Sequence, residues 1–268
     1  MENTGGSNKN IAVDNKIAGT GNKNIASGNI ITGPDNKNIA ADSKNICANN
    51  KKVKFIVCDV VHDEVKDRMP PNWDIVIFEK KLHEKSDHLR EVLQKEIDNS
   101  QEYGSIVLGY GLCGKSVDGL ISPNTYMIIP KCDDCISLFL GSTSEYKKQT
   151  AKAPGSYYLT RGYIGENENL MLSNYEEMKA KYSEETLKWV VKEMLKNYTR
   201  MVYINTGNYE PGEWRKIAQQ EAEKLDLAFE EINGTDEFFT KLVSCNWDDD
   251  FLVIKPGEKV KIEMFLNL

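Results

Sequence analysis

SIVLGYGLCGKSVDGLISPNTYMIIPKCDDCISLFLG, residues 105–141, decides the fold. Two short apolar runs, SIVLGY (105–110) and TYMIIP (125–130), each end in a turn, and each turn is followed by cysteine: Cys113 after the first, Cys132 and Cys135 after the second. Continuous Val/Ile-rich runs of this length are strands buried on both faces. Thiols at the mouths of such strands sit where α/β proteins keep ligands and chemistry.

Working outward, the pattern repeats. Upstream, VKFIVCDV (53–60) and WDIVIFE (73–79) read as further strands. Ser86 is positioned to cap a helix carrying Leu89, Val92, Leu93 and Ile97 at helical spacing. Downstream, CISLFLG (135–141) opens a buried helix, a short helix follows near 143–150, and SYYLTRG (156–162) is a strand at the edge of this half. In the second half Ser173 and Glu176 form a capping box. Helices are expected over 173–182, 184–198, 212–225 and 236–244, with strands at RMVYINTG (200–207), LAFEEIN (227–233) and FLVIKPGEKVKI (251–262), the last ending like a hairpin. Strands alternating with helices predict an α/β, Rossmann-like fold with a mostly parallel sheet, in two lobes, 53–163 and 164–268.

Residues 1–52 are different. The blocks SNKNIAV, DNKIAGT, GNKNIAS, GNIITGP, DNKNIAA and DSKNICA repeat with a step of seven. A coiled-coil seam needs two large apolar residues per heptad, and these blocks offer about one. Gly and Asn stand where helix formers would be needed. Such a segment cannot offset its ordering entropy by burial and is expected to be disordered. Cys47 occupies an Ala position of the last block and is read as incidental.

The chain has 268 residues and a formal charge of −7, without a long basic stripe. That balance excludes an electrostatic nucleic-acid binder. No run reaches the length of a membrane span, and the N-terminus lacks an apolar signal-type stretch. A cytoplasmic setting is expected. There thiols stay reduced, so 6 Cys point to ligation or catalysis more than to disulfides.

Cys132-x-x-Cys135 has chelating spacing for Zn²⁺ or an Fe–S cluster. Parallel strands end side by side, so Cys113 and Cys58, each at a strand end, approach the same rim, and His83 follows the second strand. The candidate metal ligands are therefore Cys58, His83, Cys113, Cys132 and Cys135. The bland alternative is that a single CxxC is two buried small residues. A thioredoxin-like pair is disfavoured because Asp133 and Asp134 lie between the thiols and oppose thiolate formation.

GYGLCGKS (109–116) also matches G-x-x-x-x-G-K-[ST]. A nucleotide binder is thus an alternative, with Lys115 on the phosphates, Ser116 on Mg²⁺ and Asp59 as a further metal ligand. A P-loop must open a long helix, and here Gly119 and Pro123 interrupt the chain after Ser116. No Gly-rich dinucleotide fingerprint follows the first strand. His62, His88, Asp63, Glu64 and Arg161 read as solvated or surface-paired groups, and Tyr110, Tyr157 and Tyr158 as packing residues.

VLGYGLCGKSVDGL, IPKCDDCISLFLGS, PGSYYLTRGYI, YINTG and NWDDDFLVIKPG together resemble a prokaryotic family of unknown function, DUF1638, over about 53–268. The resemblance places the family's cysteines on Cys113, Cys132 and Cys135. The family's usual His between the last two is Asp133 here, which leaves Cys58 or His83 to complete a ligand set. It carries no established activity. It implies a support role in corrinoid-linked one-carbon metabolism: methyl transfer at a Zn-thiolate centre, or a non-enzymatic module that binds or delivers a corrinoid or other tetrapyrrole. A small molecule or a corrinoid protein is the expected partner.

Overall fold

The computed structural model describes residues 52–165 and 175–265. The heptapeptide blocks, Cys47 and the expected cap at Ser173 lie outside these residues. The elements alternate as expected for an α/β chain. Strand β1 (Val53–Cys58) runs without a loop into α1 (Asp59–Val65). β2 (Trp73–Phe78) is followed by a 3-10 turn (Lys80–Glu84) and α2 (Ser86–Asp98). Then come β3 (Ser105–Gly109), β4 (Tyr126–Pro130), α3 (Ile136–Leu140) and α4 (Thr143–Lys152). The remainder is β5 (Ser156–Leu159), α5 (Arg161–Ile164), α6 (Tyr175–Lys181), α7 (Glu184–Leu195), β6 (Arg200–Asn205), α8 (Gly212–Lys224), β7 (Ala228–Asn233), α9 (Glu237–Val243) and β8 (Phe251–Ile254).

Two sheets form. The larger has the order β2-β1-β3-β4-β8, and the smaller β5-β6-β7. All pairings are parallel except β4 with β8. The order 2-1-3-4 is that of a doubly wound sheet: the chain leaves β1 towards β2 on one side, then crosses to β3 on the other. β1 is therefore an interior strand with a neighbour on each side, and Phe55, Ile56 and Val57 are fully buried beside Ile106, Val107 and Leu108 of β3.

Sheet membership departs from chain order in two places. SYYLTRG, expected at the edge of the first half, pairs with β6 in the smaller sheet. FLVI, expected in the second half, returns to the larger sheet and pairs antiparallel with β4, Pro130 opposite Phe251. The expected hairpin-like end does not pair with its own strand. Lys259 instead bridges to Ile121 in the loop after β3.

The run RMVYIN shows why β6 lacks polar alternation. Val202 and Ile204 pack in the core of the larger sheet, together with Phe238, Phe239 and Leu242 of α9. Met201 and Tyr203, on the other face, belong to a second core with Leu159, Leu195, Ala218 and Ala222. A strand buried on both faces must be apolar throughout. On α2 the buried residues Leu89, Leu93 and Ile97 fall on one stripe at four-residue spacing. Ser86 is the first helical residue and not the cap. Lys85 holds the cap position without a side-chain hydrogen bond.

Helix α1 follows β1 directly, and it changes the reading of Glu64 as a solvated group. That carboxylate is buried, only 4% exposed. It accepts hydrogen bonds from the Thr206 hydroxyl (2.8 Å), Asn208 Nδ2 (2.6 Å) and the Tyr209 hydroxyl (2.7 Å), all in the loop after β6. Hydrogen bonds to a buried charge are the strong kind, and unmade ones leave desolvated groups behind. Glu64→Ala is expected to lower stability by about 3 kcal/mol, since three donors lose their acceptor. Urea denaturation followed by circular dichroism checks this; a loss well under ~1 kcal/mol contradicts a structural role for the cluster.

Candidate functional site

In a doubly wound sheet the chain diverges at the switch point, and the carboxyl ends of the two strands flanking it leave a crevice. Here those strands are β1 and β3. β1 ends in Cys58, and β3 leads into Tyr110-Gly111-Leu112-Cys113. β4, next to β3, leads into Cys132 and Cys135. All four cysteines are buried and free.

The loops after β3 and β4 are tied together through their backbones. Leu112 N–H donates to the Cys132 carbonyl and Cys113 N–H to the Asp133 carbonyl, each at 2.8 Å. The approach is so close that a Cβ on Gly111 would stand 2.7 Å from Cys132 Sγ and 2.8 Å from its carbonyl oxygen. Cys113 itself has φ +43°, followed by Gly114 at +65° and Lys115 at +74°. Left-handed backbone costs a non-glycine residue about 1–3 kcal/mol and clusters at functional sites. The chain holds Cys113 in that conformation while a glycine stands next to it.

Cys58 Sγ lies 3.3 Å from Asp59 Oδ1, which also accepts the Val60 N–H at 2.7 Å. Cys135 occupies the N-cap position of α3, and its sulfur is 3.3 Å from the Tyr163 hydroxyl. Asp134 between the paired cysteines accepts from the Ile136 N–H at 2.9 Å and the Tyr146 hydroxyl at 3.2 Å. Burial pushes its carboxyl above the usual carboxylate range.

The four thiols share one electrostatic neighbourhood. Burial is the first cause that raises each of them, and repulsion from a neighbouring thiol or carboxylate adds to it. Cys58 feels Cys135; Cys113 feels Cys135, Cys132 and Cys58; Cys132 feels Asp134 and Cys135. Cys135 is pushed up to about 12 by burial and Asp134, against the Tyr163 hydrogen bond, which lowers it. The thiols are therefore protonated at neutral pH, which agrees with the sequence argument against a thioredoxin-like nucleophile.

His83 reaches the same rim from the turn after β2. Its ring stacks on Tyr110, centroids 5.5 Å apart at 25°. Its Nε2 is buried without a partner, as are the Tyr110 hydroxyl and Ser116 Oγ. Burial lowers the His83 pKa, so the ring is neutral. Among the described residues, no three His, Cys, Asp or Glu side chains stand as a ready-made metal-holding group. A shallow polar recess lined by Lys52, Asp74, Glu102 and Tyr103 lies at the strands' amino ends and includes none of these residues.

No helix begins at Ser116. Turn follows from Cys113 to Gly119, Lys115 is exposed, and its carbonyl accepts from Arg90. This is the interruption expected from Gly119 and Pro123. His88 is exposed, with Glu91 its nearest acid at 3.8 Å. Arg161 pairs with Asp63 at 3.6 Å and also packs over the rings of Tyr209 and Trp214. Sequence reasoning missed Lys80 and Tyr163. Lys80 Nζ donates to the Gly162 carbonyl (3.2 Å) and the Tyr163 carbonyl (2.6 Å), bringing α5 over the thiols. Tyr163 lies in the run PGSYYLTRGYI without standing out there, Lys80 lies in none of the quoted family runs, and their meeting depends on how the two sheets pack.

Fold and site together define a doubly wound α/β protein with a buried thiol cluster at its switch point. The family described as protein of unknown function (DUF1638) matches residues 77–243, more than half of the chain. The chain belongs to that family. The matched residues include His83, Cys113, Cys132, Cys135 and Tyr163, and Cys58 precedes them. No curated protein and no solved structure matches the chain.

Two outcomes follow from this geometry. Gly111→Ala is expected to destabilise the protein by about 1–3 kcal/mol, because its methyl group collides with Cys132. A thermal or urea midpoint equal to wild type contradicts the close approach. The thiols also set a pH dependence. A group whose folded-state pKa is raised stays protonated longer when folded. Its stabilising contribution is complete below the ordinary thiol value of 9.0 and is lost as pH rises towards the folded value, about 12 for Cys135. The urea midpoint of metal-free protein should fall as pH climbs above 9.0, and Cys135→Ala should flatten that fall.

Proposed function

We propose that the switch-point thiols form a soft-metal centre, with Cys113, Cys132 and Cys135 as ligands and Cys58 or His83 completing the set. One observation carries the reading: four free, buried cysteines stand at the ends of three adjacent strands, on loops joined through their backbones. Buried groups that repel one another when ionised need a cation to become stable anions. A soft divalent ion or an iron–sulfur cluster supplies that charge and prefers sulfur donors. On ligation each thiol releases its proton to water as its sulfur bonds the ion, so binding is coupled to pH.

His83 Nε2 supports the reading as a neutral nitrogen without a partner. In the corrinoid-linked setting that the family resemblance implies, a zinc ion held by three of these side chains would keep a substrate thiol deprotonated at an open position, ready to take the methyl group of a methylcorrinoid, whose cobalt would keep the bonding electron pair. The left-handed conformation of Cys113 gives a second line of support, because strain of this kind is retained where a side chain must point to a ligand.

The test is elemental analysis of protein purified without oxygen and without chelator. The expected result is zinc or iron in whole-number ratio to the chain, lost in Cys113→Ser and Cys132→Ser. Wild-type protein that carries no metal, and takes up neither zinc, cadmium nor iron with sulfide, overturns the reading.

A further inference from the structure

Tyr163 stands apart from the other groups at the rim because it comes from the smaller sheet. It lies on α5, the connection leaving β5, whereas every thiol lies on the larger sheet. Three contacts hold it there. Its hydroxyl is 3.3 Å from Cys135 Sγ. Its carbonyl and that of Gly162 accept from Lys80 Nζ, at 2.6 Å and 3.2 Å. Gly162 packs against α1 so tightly that a Cβ would stand 3.0 Å from the Val60 Cα, a backbone atom that cannot step aside. Lys80 also lies within 5.8 Å of the Tyr163 ring centroid.

We infer that Tyr163 is a positioning residue of the thiol centre: its hydroxyl fixes the Cys135 sulfur, and Lys80 and Gly162 clamp the segment that carries it. The larger sheet supplies the soft ligands, and the smaller sheet supplies the hydrogen bond that orients one of them. Groups that hydrogen-bond to a ligand typically alter metal affinity by about 10–100-fold when removed. The inference takes its ligand from the soft-metal reading. The Tyr163–Cys135 contact itself exists without metal, so the two fail separately.

The experiment uses the full chain in two measurements. In the first, metal-free wild type and Tyr163→Phe are treated with methyl methanethiosulfonate, and Cys135 and Cys113 are followed by peptide mapping. Loss of the hydroxyl removes the hydrogen bond that favours the attacking thiolate, so Cys135 modification should fall several-fold relative to Cys113 in the same molecules. A purely structural role for Tyr163 would raise both alike; an unchanged ratio overturns the inference. Lys80→Met, which releases the clamp but keeps the hydroxyl, should change the ratio in the same direction. It serves as the test if the phenylalanine variant does not fold.

In the second measurement, cadmium is titrated and its thiolate charge-transfer band is recorded. Tyr163→Phe should bind cadmium about 10–100-fold more weakly, and wild-type affinity in the variant overturns the inference. Wild-type protein that shows no such band removes the soft-metal reading, while the modification ratio still decides the role of Tyr163.

Discussion

The parallel pairing of β1 with both of its neighbours is the constraint on which the rest depends. Because β2 and β3 flank β1, the chain must reverse its direction of travel across the sheet. Backbone segments leaving β1 and β3 diverge above that reversal, and no crossover helix can fill the gap they leave. Residues Val53–Cys58 take almost their whole length to make this pairing, Val53 against Trp73 on one side and Ser105 on the other. The register puts Cys58 level with Phe78 and the last β3 residue, Gly109, level with Val57. A Cβ on Gly109 would stand 2.5 Å from a Val57 methyl, so the strand end tolerates only glycine without movement. The thiol cluster is therefore a consequence of strand order as much as of cysteine placement.

Much of this was legible in the sequence because strand ends are legible. Val/Ile-rich runs ending at Cys58, Tyr110 and Pro130 gave the strands, and parallel neighbours put their carboxyl ends together without further information. The CxxC spacing supplied the pair. What could not be read was pairing between segments far apart in sequence. SYYL and FLVI have the same apolar look as the other strands, and nothing local says which sheet each enters. Glu64 was misread for a related reason. An acidic residue soon after a strand is usually solvated, and only the distant Thr206, Asn208 and Tyr209 make it a buried acceptor. Tyr163 and Lys80 stayed hidden likewise, since a hydroxyl near a sulfur is a property of packing between sheets.

The GKS match shows the opposite error, a motif without its context. In a P-loop the residues after the lysine begin a helix whose amino end holds the phosphate. Here the same letters form a left-handed turn, with Ser116 buried and Lys115 facing solvent. The glycine of the motif serves the conformation next to Cys113, and the sequence similarity arises from a turn's need for positive φ.

Cys113 sits in a conformation that glycine adopts freely and that cysteine resists. Folding alone would be better served there by glycine, the residue that stands at 114. A thiol there costs backbone energy that a glycine would not. By the same logic, relatives in which nothing requires a thiol at this rim should be the ones in which that position relaxes to glycine or asparagine while the surrounding strands stay intact.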